Sequence, residues 1–435
     1  MLGAREERDV LIRFEVSNFR SILESVELSL VAVDLDREEA RPIANIGASL
    51  LPVAAIYGPN ASGKSNILAA LSWLRSAVGN SLRLWDDVIP VEPFAFADGA
   101  GRMSEFTLEL TVAGVRFEYV VELTRDAVHY EGLFHYPEKK RRRVFERVGG
   151  ELTLQRGLGS LSGTRELLTP RTLALSVARR FGEPVVSGFA QQLLDVQILG
   201  PQPRTRRGFL DLRSTRRLFD ENTDDNQLTL DDAGGGPAES RRASREQALA
   251  LLRMADLGID DVLVEDHQVV LGSDPEQVRT QRRVRLVHRT EHERAPLSFS
   301  AESEGTRTWF ETIGPVLAAL GSGSLVLFDE LDASLHPTLS MHLVRLFQSP
   351  ATNPLGAQLV FTSHDTSLLN HLNRDEVWLT EKAKDGTTRL GALAEFAGER
   401  VRRSQNLEKA YLHGRFGALP EVDRVEMLRA LGLIG

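Results

Sequence analysis

Apolar residues along this chain fall into three kinds of run, and each predicts a different element. LIRFEVSNFR at 11–20 and Val26–Val33 alternate apolar and polar positions, the period of a half-buried strand. Asn18-Phe19-Arg20-Ser21 marks the turn between them. Val53–Tyr57 is continuously apolar, as a strand covered on both faces is. Ile67, Leu68, Leu71 and Leu74 then recur at helical spacing and predict a helix to about Val78.

Residues 104–155 return to short alternating runs, broken at Gly114 and Gly149-Gly150. They predict an antiparallel meander. Residues 161–220 read as helical. Pro170 suits a first turn, Leu173, Leu175, Val177 and Ala178 give an apolar face, and FAQQLLDVQIL continues it. The stretch 221–240 is acidic and then glycine-rich, which predicts a flexible loop. A helix over 241–257 and strands at about 260–271 and 281–289 follow. The last third alternates strand (323–330), helix (Pro337–Gln348), strand (357–365), a short helix and strand (376–381). No repeat of 20–50 residues is present. The pattern predicts an α/β fold in four parts: 1–160, an inserted helical lid at 161–258 containing the loop 221–240, 259–390, and a tail at 391–435.

Candidate chemistry stands where three of the apolar strands end. Between the strand Val53–Tyr57 and its helix lies Gly58-Pro59-Asn60-Ala61-Ser62-Gly63-Lys64-Ser65, a complete G-x-x-x-x-G-K-S, followed by Asn66. Strand, glycine loop and helix in that order are the context a phosphate-binding loop requires. The glycines let backbone N–H groups converge on one point, and the helix N-terminus favours an anion there. Lys64 can reach the β- and γ-phosphates of ATP, and Ser65 can ligate Mg²⁺. Leu325–Phe328 followed by Asp329 and Glu330 is the Walker B pattern. Asp329 would support Mg²⁺ beside Ser65, and Glu330 would orient or deprotonate the attacking water. His364, in Phe361-Thr362-Ser363-His364-Asp365, ends the next apolar strand, where it can report on the γ-phosphate.

Two other groups carry no chemistry in this reading. His288-Arg-Thr-Glu-His292-Glu293 is not H-E-x-x-H and falls at a strand end, so it reads as polar surface. Asp34-x-Asp36 reads as solvated surface.

Composition narrows the class. The 435 residues include no cysteine, and 42% are hydrophobic. That excludes disulfides, thiolate metal sites and cysteine nucleophiles and predicts a reducing, cytoplasmic location. No apolar run reaches a membrane span, and MLGAREERDV lacks an apolar signal core. The net charge of −9 weighs against a surface coated for DNA, although Arg204, Arg206, Arg207, Arg213, Arg216 and Arg217 cluster in one stretch.

GPNASGKSN together with DELDASLHP resembles ATP-binding-cassette ATPases, specifically their SMC-like branch. The resemblance implies an ABC-type P-loop NTPase head, a mixed sheet plus the antiparallel meander, with the helical lid inserted. It implies ATP and Mg²⁺ as ligands, Leu331-Asp332 as the D-loop and His364 as the switch histidine. Its signature motif would be Ser300-Ala301-Glu302-Ser303-Glu304-Gly305-Thr306-Arg307, which departs from LSGGQ. Ser303, Gly305 and Asp332 would then act in trans, across an ATP-bridged homodimer. The same serines also suit an ordinary helix N-cap. No glutamine stands clearly at the Q-loop position. Pro93-Phe94, LLTPRTLALSVARRF and the tail from Tyr411 to Pro420 are similar to AAA-type ATPases of the OLD and RloA phage-defence group, which includes the ATPase of the PARIS system. OLD proteins carry a C-terminal Toprim nuclease, and the roughly 45 residues after 390 are too few for one. The expectation is therefore a nucleotide-switched defence sensor that controls a separate toxin or nuclease. The alternative is an SMC-like repair or recombination ATPase that clamps DNA through the arginine stretch. A transporter subunit ranks last, because no membrane-coupling feature is present.

Overall fold

A computed structural model describes residues 9–43, 45–96, 98–200, 208–220, 238–255, 258–270, 278–397 and 407–413. In chain order its strands are β1 (Leu11–Ser17), β2 (Val26–Ser29), β3 (Arg41–Ile43), β4 (Ala48–Leu50) and β5 (Val53–Tyr57), and the first helix is α1 (Lys64–Leu84). The meander follows as β6 (Ser104–Val112), β7 (Val115–Leu123), β8 (Val128–His135), β9 (Arg142–Val148) and β10 (Glu151–Leu154). Next come α2 (Thr164–Leu167), α3 (Ala174–Ala178), α4 (Pro184–Leu194), β11 (Gln197–Leu199), α5 (Gly208–Phe219) and α6 (Ala238–Ala255). A three-stranded sheet is formed by β12 (Ile259–Val270), β13 (Val278–Arg289) and β14 (Arg294–Ser298). The chain continues with α7 (Glu304–Ser322), β15 (Leu325–Phe328), α8 (Leu331–Ser334), α9 (Pro337–Gln348), β16 (Gln358–Thr362), β17 (Val377–Lys382), β18 (Thr388–Ala392), α10 (Leu393–Ala397) and α11 (Leu407–Leu412).

Two sheets carry the architecture. The antiparallel one has the order β10-β9-β8-β7-β6-β1-β2, so the meander extends the N-terminal hairpin. The other has the order β11-β15-β16-β5-β17-β18 and is parallel except at β18. β5 is buried at every position because both of its faces are covered. Ala54 and Ile56 join a core shared with α1, α3, α4 and the antiparallel sheet. Val53, Ala55 and Tyr57 join a second core with α7 and α9. The period of two along one strand thus feeds two cores. Ile67, Leu68, Leu71, Leu74 and Val78 face the first core from α1. Buried Gln358 joins the two sheets: its amide accepts from Leu11 N at 2.6 Å and donates to the carbonyls of Leu11 and Leu51.

Several local expectations change. The first helix runs on to Leu84. The strand expected over Val26–Val33 stops at Ser29. The helical reading of 161–220 breaks into short pieces, and α4 ends at Leu194 so that Gln197–Leu199 can pair in parallel with Val326–Phe328. Asp34 is not simply solvated, since it accepts a bidentate pair from Arg374 at 2.8 and 2.9 Å. His288 is bonded to Glu302 at 2.9 Å instead of facing solvent alone. Arg204, Arg206, Arg207, nearly all of the loop at 221–240 and the tail from Gly414 lie outside the described residues.

Candidate functional site

The phosphate-loop sequence closes between β5 and α1 in strained backbone. Gly58 and Gly63 have φ of +154° and +101°, and Ala61 has φ of +61°. Gly63 is the N-cap of α1. A Cβ on Gly63 would stand 2.0 Å from Thr388 Oγ1, and one on Gly58 2.3 Å from Thr380 Oγ1. Glycine is therefore required twice over, by conformation and by close approach.

Hydroxyl groups support the loop from behind. Ser62 Oγ and Thr380 Oγ1 are 2.6 Å apart, and Thr380 Oγ1 also donates to the Tyr57 carbonyl. Thr388 Oγ1 donates to the Ser62 carbonyl at 2.9 Å and lies 2.7 Å from Ser21 Oγ, which in turn accepts from Asn66 Nδ2. Asn60 and Ala61 stand exposed at the tip, with Pro59 half-buried beside them. Lys64 is buried, and its Nζ donates to the carbonyls of Gly58 and Pro59 at 2.9 and 3.0 Å. Burial lowers the Lys64 pKa, while the nearby charges of Asp332, Glu330 and Asp329 oppose the shift.

The acidic side of the site comes from β15 and β16. Ser65 Oγ donates to Asp329 Oδ1 at 2.8 Å, and Thr362 Oγ1 donates to the same oxygen at 2.7 Å. Asp329 N donates to the Leu199 carbonyl. Gly200 abuts the Asp329 backbone, so closely that a Cβ would meet its carbonyl oxygen at 2.2 Å. Glu330 takes left-handed backbone (φ 52°, ψ 57°) as N-cap of α8. Its N–H donates to Thr362 Oγ1 at 2.7 Å. Asp332 Oδ1 accepts the backbone N–H of His364 at 3.0 Å, and the His364 side chain is exposed.

Lys64, Ser65, Asp329, Glu330, Asp332 and His364 are thus gathered at the C-terminal ends of β5, β15 and β16. Ser303 and Gly305 lie at the N-terminus of α7. Ser303 caps α7, its Oγ accepting from Thr306 N at 3.1 Å. Among the described residues no hydrogen bond joins Ser303 or Gly305 to the cluster. Sequence reading missed Thr362, Thr380, Thr388, Ser21 and Gly200. Thr362 and Ser21 sat inside stretches already singled out, but hydroxyls at strand ends carry no local signal of what they will face.

The donor set suits Mg²⁺ with a nucleotide. Ser65 and Asp329 offer hard oxygens, and this cation usually takes one or two protein ligands and fills its shell with phosphate oxygens and water. A dedicated protein cage is not needed, and among the described residues no group of three or more His, Asp or Glu could hold a metal.

A family model described as "AAA domain, putative AbiEii toxin, Type IV TA system" matches residues 53–170 and 189–370, more than half of the chain. The chain belongs to this family. The AAA-domain match spans the phosphate loop, Asp329, Glu330 and His364 together. Among solved structures, the SMC head domain from Thermotoga maritima is 13% identical with a TM-score of 0.39, covering 88% of this chain and 98% of its own. An SMC head bound to the C-terminal winged-helix domain of ScpA is 12% identical with a TM-score of 0.39, covering 88% and 99%. An SMC head with extended coiled coil, bound to a ScpA domain from Pyrococcus furiosus, is 12% identical with a TM-score of 0.37, covering 89% and 97%. No curated protein matches the chain. In this AAA-domain chain a mostly parallel sheet carries the phosphate loop and packs with an antiparallel sheet. Among the described residues no helix is long and apolar enough to cross a membrane.

Proposed function

We propose that this chain binds ATP with Mg²⁺ and hydrolyses it, and that the nucleotide opens and closes a homodimer. The observation that carries the reading is the convergence on Asp329, where Ser65 of the phosphate loop and Thr362 of the histidine strand share one carboxylate oxygen.

Bound ATP and Mg²⁺ would supply an electrophilic phosphorus and a cation that withdraws charge from it. The protein's own groups do the rest. Backbone N–H groups between Gly58 and Asn66, Pro59 having none, bind phosphate oxygens. Lys64 exchanges the Gly58 and Pro59 carbonyls for phosphate. Ser65 and Asp329 hold the cation. Glu330 orients water and takes up its proton, and His364 reports whether the γ-phosphate is present. Ser303, Gly305 and Asp332 complete the site from the partner protomer. Asp332 Oδ1 is bonded to the His364 amide within its own protomer, which leaves Oδ2 for a contact across the dimer. In this reading residues 161–258 form the lid, carried between the head segments 1–160 and 259–390, with 391–435 as tail.

The downstream role we propose is a cytoplasmic antiphage sensor that restrains a separate toxin or nuclease. The outer sequence motifs support it, as does a family description that names a toxin and a type IV toxin–antitoxin system. The DNA-clamp alternative draws less support. It rests on Arg204, Arg206, Arg207, Arg213, Arg216 and Arg217, of which the first three lie outside the described residues, and the net charge of −9 weighs against a DNA-coating surface. ATP hydrolysis with and without double-stranded DNA, with Glu330→Gln as the blank, tests both readings. Turnover indifferent to DNA is expected. Strong stimulation by DNA would transfer the proposal to the clamp, and no turnover under any condition would overturn the ATPase reading.

A further inference from the structure

Every group assigned above is given a role toward nucleotide, cation or water, yet the two acidic residues at the centre are not placed by their own strand alone. Asp329 and Glu330 follow β15, and Glu330 lies in left-handed backbone, which costs a non-glycine residue roughly 1–2 kcal/mol. Something outside the strand must hold that conformation.

Thr362, the last residue of β16, is fully buried, and its one hydroxyl makes both relevant bonds. An ionised carboxylate only accepts and a backbone amide only donates. The direction of each bond is therefore fixed. Glu330 N–H donates to Thr362 Oγ1, and Thr362 Oγ1–H donates to Asp329 Oδ1, both at 2.7 Å. The two bonds form a chain in which each polarises the next. They lock the Thr362 rotamer, direct Asp329 Oδ1 toward Ser65, and anchor the strained Glu330 amide. From the opposite side Leu199 and Gly200 of the neighbouring β11 segment confine the Asp329 backbone.

We propose that Thr362 is a positioning residue for hydrolysis: a single hydroxyl that sets the cation-binding carboxylate and the water-activating glutamate relative to each other. This rests on the ATPase reading above. The Thr362 hydroxyl is bonded to Asp329 and to the Glu330 amide. It acts through Asp329 and Glu330, so its loss should affect the cation-dependent and chemical steps and spare capture of the nucleotide by the loop.

The test compares Thr362→Val, which keeps the shape and removes the hydroxyl, with Thr362→Ser, which keeps the hydroxyl and removes the methyl. Two quantities are read: steady-state ATP hydrolysis, and the affinity for a fluorescent ATP analogue titrated in Mg²⁺ and in EDTA. For Thr362→Val the expected result is a kcat lower by about 10- to 100-fold. The gain in analogue affinity on adding Mg²⁺ should shrink, while affinity in EDTA stays at the wild-type value. Thr362→Ser should restore kcat to within about threefold. A valine variant that binds the analogue and turns over like wild type overturns the proposal. So does a serine variant as impaired as the valine one, because the methyl group would then be what matters. Failure of the wild-type protein to hydrolyse ATP would instead overturn the ATPase reading itself.

Discussion

Ser65 and Asp329 stand 264 residues apart in the chain and share a 2.8 Å hydrogen bond. The phosphate loop and the Walker B strand are not adjacent in the sheet, since β16 runs between β5 and β15. The bond therefore spans a strand whose own end, Thr362, also contacts Asp329. Asp329→Asn and Ser65→Ala should each weaken nucleotide binding in Mg²⁺ by about 10- to 100-fold and leave binding in EDTA nearly unchanged. Fluorescent-nucleotide titrations in the two buffers measure the difference.

Gly63→Ala should damage the loop without any direct contact to ligand. The position has φ of +101°, and a Cβ there would lie 2.0 Å from Thr388 Oγ1. Strain and overpacking together should cost about 2–4 kcal/mol in denaturant melts. Adding Thr388→Ala should recover only part of the loss, because the dihedral strain and the 2.9 Å approach to Ser21 Oγ remain.

Glu376 provides a pH signature unrelated to the nucleotide. It is fully buried, and burial pushes its pKa up to about 7 against opposing effects of the Asn373 amide and Arg37. Below the unfolded value of 4.5 both states are protonated, and the folded protein bears no cost. Between 4.5 and about 7 the unfolded chain releases the proton and the folded one keeps it, so stability falls as pH rises. Above about 7 the full loss, about 3 kcal/mol, is in place. Glu376→Gln should gain stability over wild type on going from pH 5 to pH 8, as read from urea melts at both values.

Gly314 in α7 lets α5 approach closely. Its N–H donates to Thr215 Oγ1 at 2.8 Å, and a Cβ there would meet Thr215 N at 2.4 Å. Gly314→Ala should destabilise the protein by about 1–3 kcal/mol and leave nucleotide binding at the phosphate loop intact. Thermal melting and nucleotide titration on the same sample separate the two effects.

What the sequence revealed was local. Val53–Tyr57, the glycine loop and the helix after it are consecutive, so one stretch specified both the elements and their chemistry. Leu325–Glu330 and Phe361–His364 were legible for the same reason: a buried parallel strand reads as an unbroken apolar run, and its last residues face the crevice. β11 was not legible. Gln197–Leu199 is three residues long and is made a strand by pairing with Val326–Phe328, whereas its local pattern continues a helical face. The hydroxyls of Thr380 and Thr388 were hidden because their partner, the loop at Ser62, is more than 300 residues away. The Asp34–Arg374 pair was hidden likewise, its members standing 340 positions apart.

In the proposed switch, ATP closes a dimer in which each protomer completes the other's site. Glu330→Gln removes the proton acceptor and keeps the amide that Thr362 anchors, so it should bind ATP without consuming it. The most direct measurement is the mass of this variant in solution by light scattering, with and without saturating ATP and Mg²⁺. A doubling of mass on adding ATP, abolished by Lys64→Ala, is the predicted result. A protein that binds ATP and keeps the same monomer mass with and without it would contradict the account.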